Sequence, residues 1–194
     1  VYVLDDILAS IKKAKDHDDI KGIYIQASWL GTSFASLQEI RAALADFKES
    51  GKFVYAYGDV YTQGLYYLSS VADKVMLNPK GVVEWKGLAA RPVFFKGLLD
   101  KIGVEMQIFK VGTYKSAVEP FINTEMSPEN REQVKEYATS VWNSLVSEVS
   151  ASRNLSTERL NELADQMLMF SAAEKSIEAG LIDTLIYHND IRDY

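Results

Sequence analysis

The sequence predicts an α/β domain with a mostly parallel sheet. Short β-branched and aromatic runs alternate with amphipathic helical segments through the first half of the chain. Those runs are too apolar to have a wet face, which favours parallel pairing with helices outside. Length and composition agree: 194 residues, 47% hydrophobic and 25% charged, with only four prolines, suit a single globular domain spanning 1–194 rather than a disordered chain.

The first segment sets Leu4, Ile7, Leu8, Ile11 and Ala14 at helical spacing and gathers Lys12, Lys13 and Lys15 in its last turn, where cations suit the helix dipole. Ile20 to Gln26 reads as a strand. Ser36-Leu37-Gln38-Glu39 is a capping box for a helix striped by Leu37, Ile40, Leu44 and Phe47, and Gly51 closes it. Phe53 to Tyr57 is the next strand, Gly64 to Ala72 the next helix, and Lys74 to Leu77 a strand ending at Asn78-Pro79. Val82 to Ala90 reads as two short strands, Val93 to Ile102 as a helix ended by Gly103, and Val104 to Val111 as a further strand.

The pattern then changes to a helical excursion over about 127–170. Ser127-Pro128-Glu129 combines a capping residue, proline at the first helical position and an acid in the first turn. Val134, Tyr137, Ala138, Val141, Trp142, Leu145 and Val149 mark one face of a long helix running to about Arg153, and another helix follows Ser156. Ser171-Ala172-Ala173-Glu174 is a second capping box, Gly180 a helix stop, and Leu181 to Ile186 a closing strand. No internal repeat or Gly/Ser/Pro-rich linker interrupts the chain.

Composition also excludes several functions. Lys plus Arg is 21 against 27 Asp plus Glu, a net charge of −6, and no basic run could neutralise several phosphates, so nucleic acid is not an expected partner. Zero cysteines exclude disulfides, thiolate nucleophiles and Cys-ligated metals, leaving the redox compartment open. His17 and His188 lie near opposite ends without a second ligand at metal spacing, so neither a metal nor a Ser-His-Asp relay is expected. No G-x-G-x-x-G or Walker sequence supports a nucleotide, and no cofactor is implied. The longest apolar stretches, such as Val93-Phe94-Phe95, stop well short of the roughly 20 residues of a membrane span. The chain opens on Val1 and falls straight into a periodic segment, as a piece of a longer or processed protein would; an anchor or signal sequence could then lie upstream.

Two segments invite a chemical reading. Tyr61 to Leu68 sits at a strand-to-helix turn, where several α/β hydrolases expose a nucleophile. No serine occupies it; Thr62 reads better as a helix cap, and Tyr66 and Tyr67 as packing residues. In Val111-Gly112-Thr113-Tyr114-Lys115-Ser116-Ala117-Val118-Glu119-Pro120-Phe121, a lysine follows a strand and a glycine and stands beside apolar residues, a setting suited to partial desolvation.

The run Gly112 to Ala117 followed by Glu119-Pro120-Phe121 resembles the lysine motif of signal peptide peptidase A, or protease IV, a serine/lysine peptidase family of the Clp protease/crotonase superfamily. The resemblance extends over nearly the whole chain. Leu4-Asp5-Asp6-Ile7, Ile20-Lys21-Gly22-Ile23, Gln63-Gly64 with Tyr66-Tyr67-Leu68, Asn78-Pro79 with Gly81-Val82-Val83, and Glu174 through Gly180-Leu181-Ile182-Asp183 fit its amino-terminal half. It implies a crotonase-like (Clp protease-like) fold of repeated strand-helix units. In the long tandem form it implies that this half supplies the lysine general base, matched by Lys115, while a second half supplies the serine in a Ser-Gly-Gly turn. Here Gln63 stands nearest the serine's position, and Ser28-Trp29-Leu30-Gly31 replaces a paired-glycine oxyanion loop. The resemblance further implies signal-peptide substrates, a homo-oligomer (a tetramer in the long form), and attachment to the bacterial inner membrane through a segment absent here, the catalytic part facing the periplasm or exterior.

A lysine accepts a serine proton only when neutral, yet an ordinary lysine titrates near about 10.4. Lowering that by roughly 2.5–3 pKa units corresponds to about 3.5–4 kcal/mol in favour of the neutral amine, which burial can deliver and a solvated loop cannot. The cover for Lys115 is expected largely from the missing half or another subunit. Ser116 either orients the amine or caps a helix, the latter being favoured. Two other functions stay open: an assembly and peptide-docking module using Trp29, Trp85 and Trp142 for subunit contacts, and a crotonase-like acyl-thioester enzyme, which gives Lys115 no task.

Overall fold

The computed structural model describes residues 3–109 and 115–193. They form two compact units, Val1–Gly87 with Leu145–Tyr194, and Leu88–Ser144. In the first unit β1 (Gly22–Gln26), β2 (Phe53–Tyr61), β3 (Lys74–Val83) and β4 (Thr184–Leu185) lie side by side in sequence order, every neighbouring pair parallel. Parallel neighbours require crossovers; α2 (Phe34–Lys48) joins β1 to β2 and α3 (Gln63–Ser69) joins β2 to β3. The helix α1 (Leu4–Asp16) packs on α2. The α/β class and the parallel sheet expected from the sequence are therefore present.

The β2–β3 pair forms the centre. Val54, Ala56 and Tyr57 of β2 and Val75, Met76 and Leu77 of β3 are buried on both faces, as expected of strands covered from two sides. Both strands run further than their sequences suggest. β3 does not stop at Asn78-Pro79: the ladder passes from Gly58 opposite Leu77 to Val60 opposite Val82, leaving residues 78–81 in a bulge. Proline lacks a ladder donor and is tolerated there, the Asn78 side chain accepts from Lys80 N (2.9 Å), and a Cβ on Gly81 would sit 2.5 Å from Asp59 O. Val82 and Val83 thus end β3, and residues 84–90 form no strand pair.

Other boundaries moved for local reasons. Ser33, not Ser36, caps α2, its hydroxyl accepting from Ser36 N at 3.2 Å; Ser36 falls inside the first turn. α8 (Glu174–Glu178) begins with Ala173 in the capping position and no side-chain cap, because Ser171 lies too early in the chain, in extended backbone. Gly51 and Gly180 take φ of +80° and +77° after α2 and α8, the left-handed stops the sequence indicated. The closing strand shortens to Thr184–Leu185, though Asp183 N and Ile186 N still donate to Val75 O and Leu77 O.

The second unit is mainly helical. α4 (Lys96–Lys101) is shorter than expected, Gly103 follows it with φ +73°, and residues 104–109 form no strand; Lys110 and Val111 lie outside the described residues. A 3-10 turn at Ser116–Val118 leads into α5 (Glu119–Ile122). The long helix α6 (Pro128–Arg153) starts and stops where its signals place it, with Ser127 Oγ accepting from Asn130 N at 3.1 Å. Residues 145–153 of α6 belong to the first unit, where Leu145, Val146 and Val149 are buried; Tyr137, in the second, is exposed. Ser156 caps α7 (Thr157–Asp165) through Arg159 N, again as the sequence indicates.

Buried polar groups tie the first unit together. Trp85 is wholly buried and donates to Leu160 O at 2.8 Å, so it is a core residue rather than a subunit contact. Tyr61 and Tyr66 donate to Met76 O and Leu181 O, both at 3.0 Å, and burial pushes both phenols far up, keeping them protonated. Arg41 is 4% exposed; it donates to the carbonyls of Tyr67 and Glu148 and to the hydroxyls of Ser70 and Ser152, and pairs with the Glu148 carboxylate at 3.3 Å. Tyr67 donates to the same carboxylate at 2.6 Å.

This wiring can be tested at two points. Replacing Arg41 with methionine leaves two carbonyls and Glu148 short of donors and should cost about 2–4 kcal/mol in urea unfolding; a cost under about 0.5 kcal/mol, the level of a bland surface change, would refute the network's importance. Burial pushes the Asp183 carboxyl up, but donation from Arg153 (2.8 and 2.9 Å) and Val75 N (2.7 Å) outweighs it, leaving a net depression. A carboxyl lowered by folding contributes stability above its unfolded value, about 3.9, and loses it as pH falls through the folded value. Asp183→Asn should therefore flatten the acid side of the stability curve below about pH 4; an unchanged slope there would show that other carboxylates control it.

Candidate active site

Three segments carry the chemistry that the sequence singles out. Lys115 is exposed and occupies the residue before the 3-10 turn, with φ −88° and ψ 78°. Gly112, Thr113 and Tyr114, the first part of the lysine motif, lie outside the described residues. The Ser116 hydroxyl caps neither this turn nor α5; it lies 3.4 Å from Gln133 Oε1 on α6. The favoured capping role is thus absent, because the turn takes Lys115 as its cap residue.

Four residues on, the chain turns inward. Glu119 is 2% exposed, and its carboxylate accepts from Ser127 N (3.1 Å), Ser127 Oγ (2.5 Å) and Asn130 Nδ2 (2.9 Å). Phe95 N donates to Pro120 O at 2.6 Å, and the Phe95 and Phe121 rings stack with centroids 5.9 Å apart. Sequence reasoning places Glu119 within the motif and assigns it no task. A carboxylate between Val118 and Pro120 in an otherwise apolar run was the available signal, since a buried charge needs hydrogen-bond partners.

In the first unit, the strand-to-helix turn after β2 is occupied structurally. Thr62 caps α3, its hydroxyl accepting from Leu65 N at 3.4 Å, as the sequence indicates. Gln63, nearest the serine position implied by the resemblance, is 7% exposed. Its Oε1 accepts from Lys86 N and Gly87 N and its Nε2 donates to Gly87 O, all at 3.0 Å. The amide is tied to the backbone leaving β3 and has no nucleophilic character. Tyr66 and Tyr67 are buried packing residues. After β1, the Trp29 ring is exposed and folds over Gly31, so a Cβ there would require that ring to move. Among the described residues no group of three or more His, Asp or Glu could hold a metal ion.

This architecture, a parallel sheet threaded in sequence order with helical crossovers, is a crotonase/Clp-like α/β fold. Among solved structures, a mutant of the 1510-N membrane-bound stomatin-specific protease matches with a TM-score of 0.53 over 98% of this chain and 76% of its own, at 13% identity. The sequence pattern described as Peptidase family S49 matches residues 46–193. The chain is 43% identical over 158 residues to Protease 4 of Salmonella typhi, covering 81% of this chain and 26% of that protein. It is 41% identical over 164 residues to Protease 4 of Haemophilus influenzae, covering 84% and 27%. The chloroplastic serine protease SPPA of Arabidopsis thaliana is 27% identical over 188 residues, covering 97% and 28%. The chain belongs to peptidase family S49, and it spans about a quarter of the length of these relatives.

Gln63→Ala should unpair two backbone N–H groups and one carbonyl, costing about 1–3 kcal/mol of stability by denaturant titration. A neutral result would mean that the 86–87 backbone holds itself.

Proposed function

We propose that this domain is the lysine-bearing, amino-terminal half of a tandem serine/lysine peptidase, with Lys115 as general base and the serine supplied by a second homologous half. The lysine motif carries this reading, and the occupied amide of Gln63 supports it, since it leaves no nucleophile at position 63, where the resemblance places the second half's serine. Membership in a peptidase family adds support for acyl transfer.

The chemistry follows from the residues. The neutral amine of Lys115 removes the proton of the partner serine as its oxygen attacks the peptide carbonyl; the resulting ammonium protonates the leaving amine. The same amine then takes a proton from the water that attacks the acyl group and gives it to the serine oxygen as that oxygen leaves, which restores both groups. Substrates are extended, apolar peptides of the signal-peptide class. The working protein is a membrane-associated homo-oligomer of the bacterial inner membrane, facing the periplasm or exterior, and the present chain alone is inactive. Among the described residues no helix is long and apolar enough to cross a membrane, so attachment would use another segment.

A docking or assembly role is the second reading. The exposed Tyr137 on α6, Leu98 on α4 and Ile102 at its end favour it. One substitution separates the two. In the full-length protein, Lys115→Met should lower peptide cleavage by about 10²–10⁴-fold, the span of general-base catalysis, with oligomer mass unchanged. Cleavage retained within a factor of two would leave docking as the function.

A further inference from the structure

The reacting amine of a lysine base must hold a fixed position, and Lys115 has a long flexible stem on an exposed turn. Among the described residues, an anchor for that turn lies at its far end. From Lys115 the chain makes a single 3-10 turn, with Glu119 N donating to Ser116 O, and enters α5 at Glu119. The Glu119 carboxylate then closes the segment on itself by binding Ser127 through both N–H and hydroxyl, and the side chain of Asn130. Ser127 and Asn130 are the cap and first-turn residues of α6, joined by the Asn130 N to Ser127 Oγ bond.

We propose that Glu119 is a positioning residue for Lys115: it anchors the lysine-bearing turn to the start of α6 and so sets where the amine is presented. This inference rests on the reading of Lys115 as the base. A buried carboxylate is costly unless its acceptors are filled. These donors at the start of α6 hold the carboxylate in place, which restricts the backbone four residues upstream. Ser116 Oγ near Gln133 and the Phe95–Phe121 stack add contacts to the same segment but hold no charge.

The experiment compares Glu119→Gln and Ser127→Ala in the full-length protein. The Glu119→Gln amide keeps one oxygen for these donors but loses the charge and the second acceptor oxygen. For Glu119→Gln, kcat should fall about 10–100-fold with KM within about twofold. Ser127→Ala should lower kcat by less, again with KM within about twofold. A melting temperature that falls while kcat stays put would reduce Glu119 to a structural anchor and overturn the proposal. If Glu119→Gln does not fold, Ser127→Ala is read by the same two criteria. Should Lys115→Met retain activity, the base reading fails by itself. The rate at which Lys115 reacts with acetic anhydride, relative to Lys135, then decides positioning: a change of about threefold or more in Glu119→Gln sustains it, and an unchanged ratio ends it.

Discussion

Parallel pairing of β2 with β3 is the constraint on which the first unit rests. Both strands are buried on two faces, so neither can shift register without moving apolar side chains into water or into one another. The pairing also dictates the short crossover through α3, and with it the strand-to-helix turn at Thr62-Gln63. Because the two strands bulge at Asp59 and at residues 78–81, β3 extends to Val83 and brings Lys86 and Gly87 to the Gln63 amide. The Thr62-Gln63 turn thus serves as a clamp on the outgoing backbone.

The second unit solves a different problem. Among its described residues no strand is present, and polar closures tie its segments together. The Glu119 carboxylate provides one of these, through its bonds to the Ser127 hydroxyl and the Asn130 amide. The buried carboxylate stands four residues from Lys115, which is exposed.

Much of this was legible in the sequence, and the legible parts share a cause. Helix ends with local signatures, Ser127-Pro128 for α6, Ser156 for α7, Gly51 and Gly180 as stops, are set within one turn of chain, so their residues report them directly. The alternation of β-branched runs with amphipathic helices likewise revealed the class. Errors arose where distant pairing overrode local punctuation. Asn78-Pro79 reads as a stop but lies in a bulge packed closely between Asp59 and Gly81, and the apolar run from Val104 has strand composition without strand pairing among its described residues. Trp85, which could have served a surface, is buried because Leu160 and Tyr66 arrive from distant parts of the chain to surround it.

By itself, the sequence determined the α/β class, the long helix, the family through its lysine motif, and the absence of a serine at the turn after β2. These depend on residue identity and on spacing along a few turns of chain. Only the tertiary structure decided that Gln63 is bound to the backbone of residues 86 and 87, that Arg41 bridges Tyr67, Ser70, Glu148 and Ser152, and that Glu119 points inward to the head of α6. The physical reason is that the cost of burying a charge or an amide is settled by which donors and acceptors reach it, and those come from segments whose separation in sequence carries no signal.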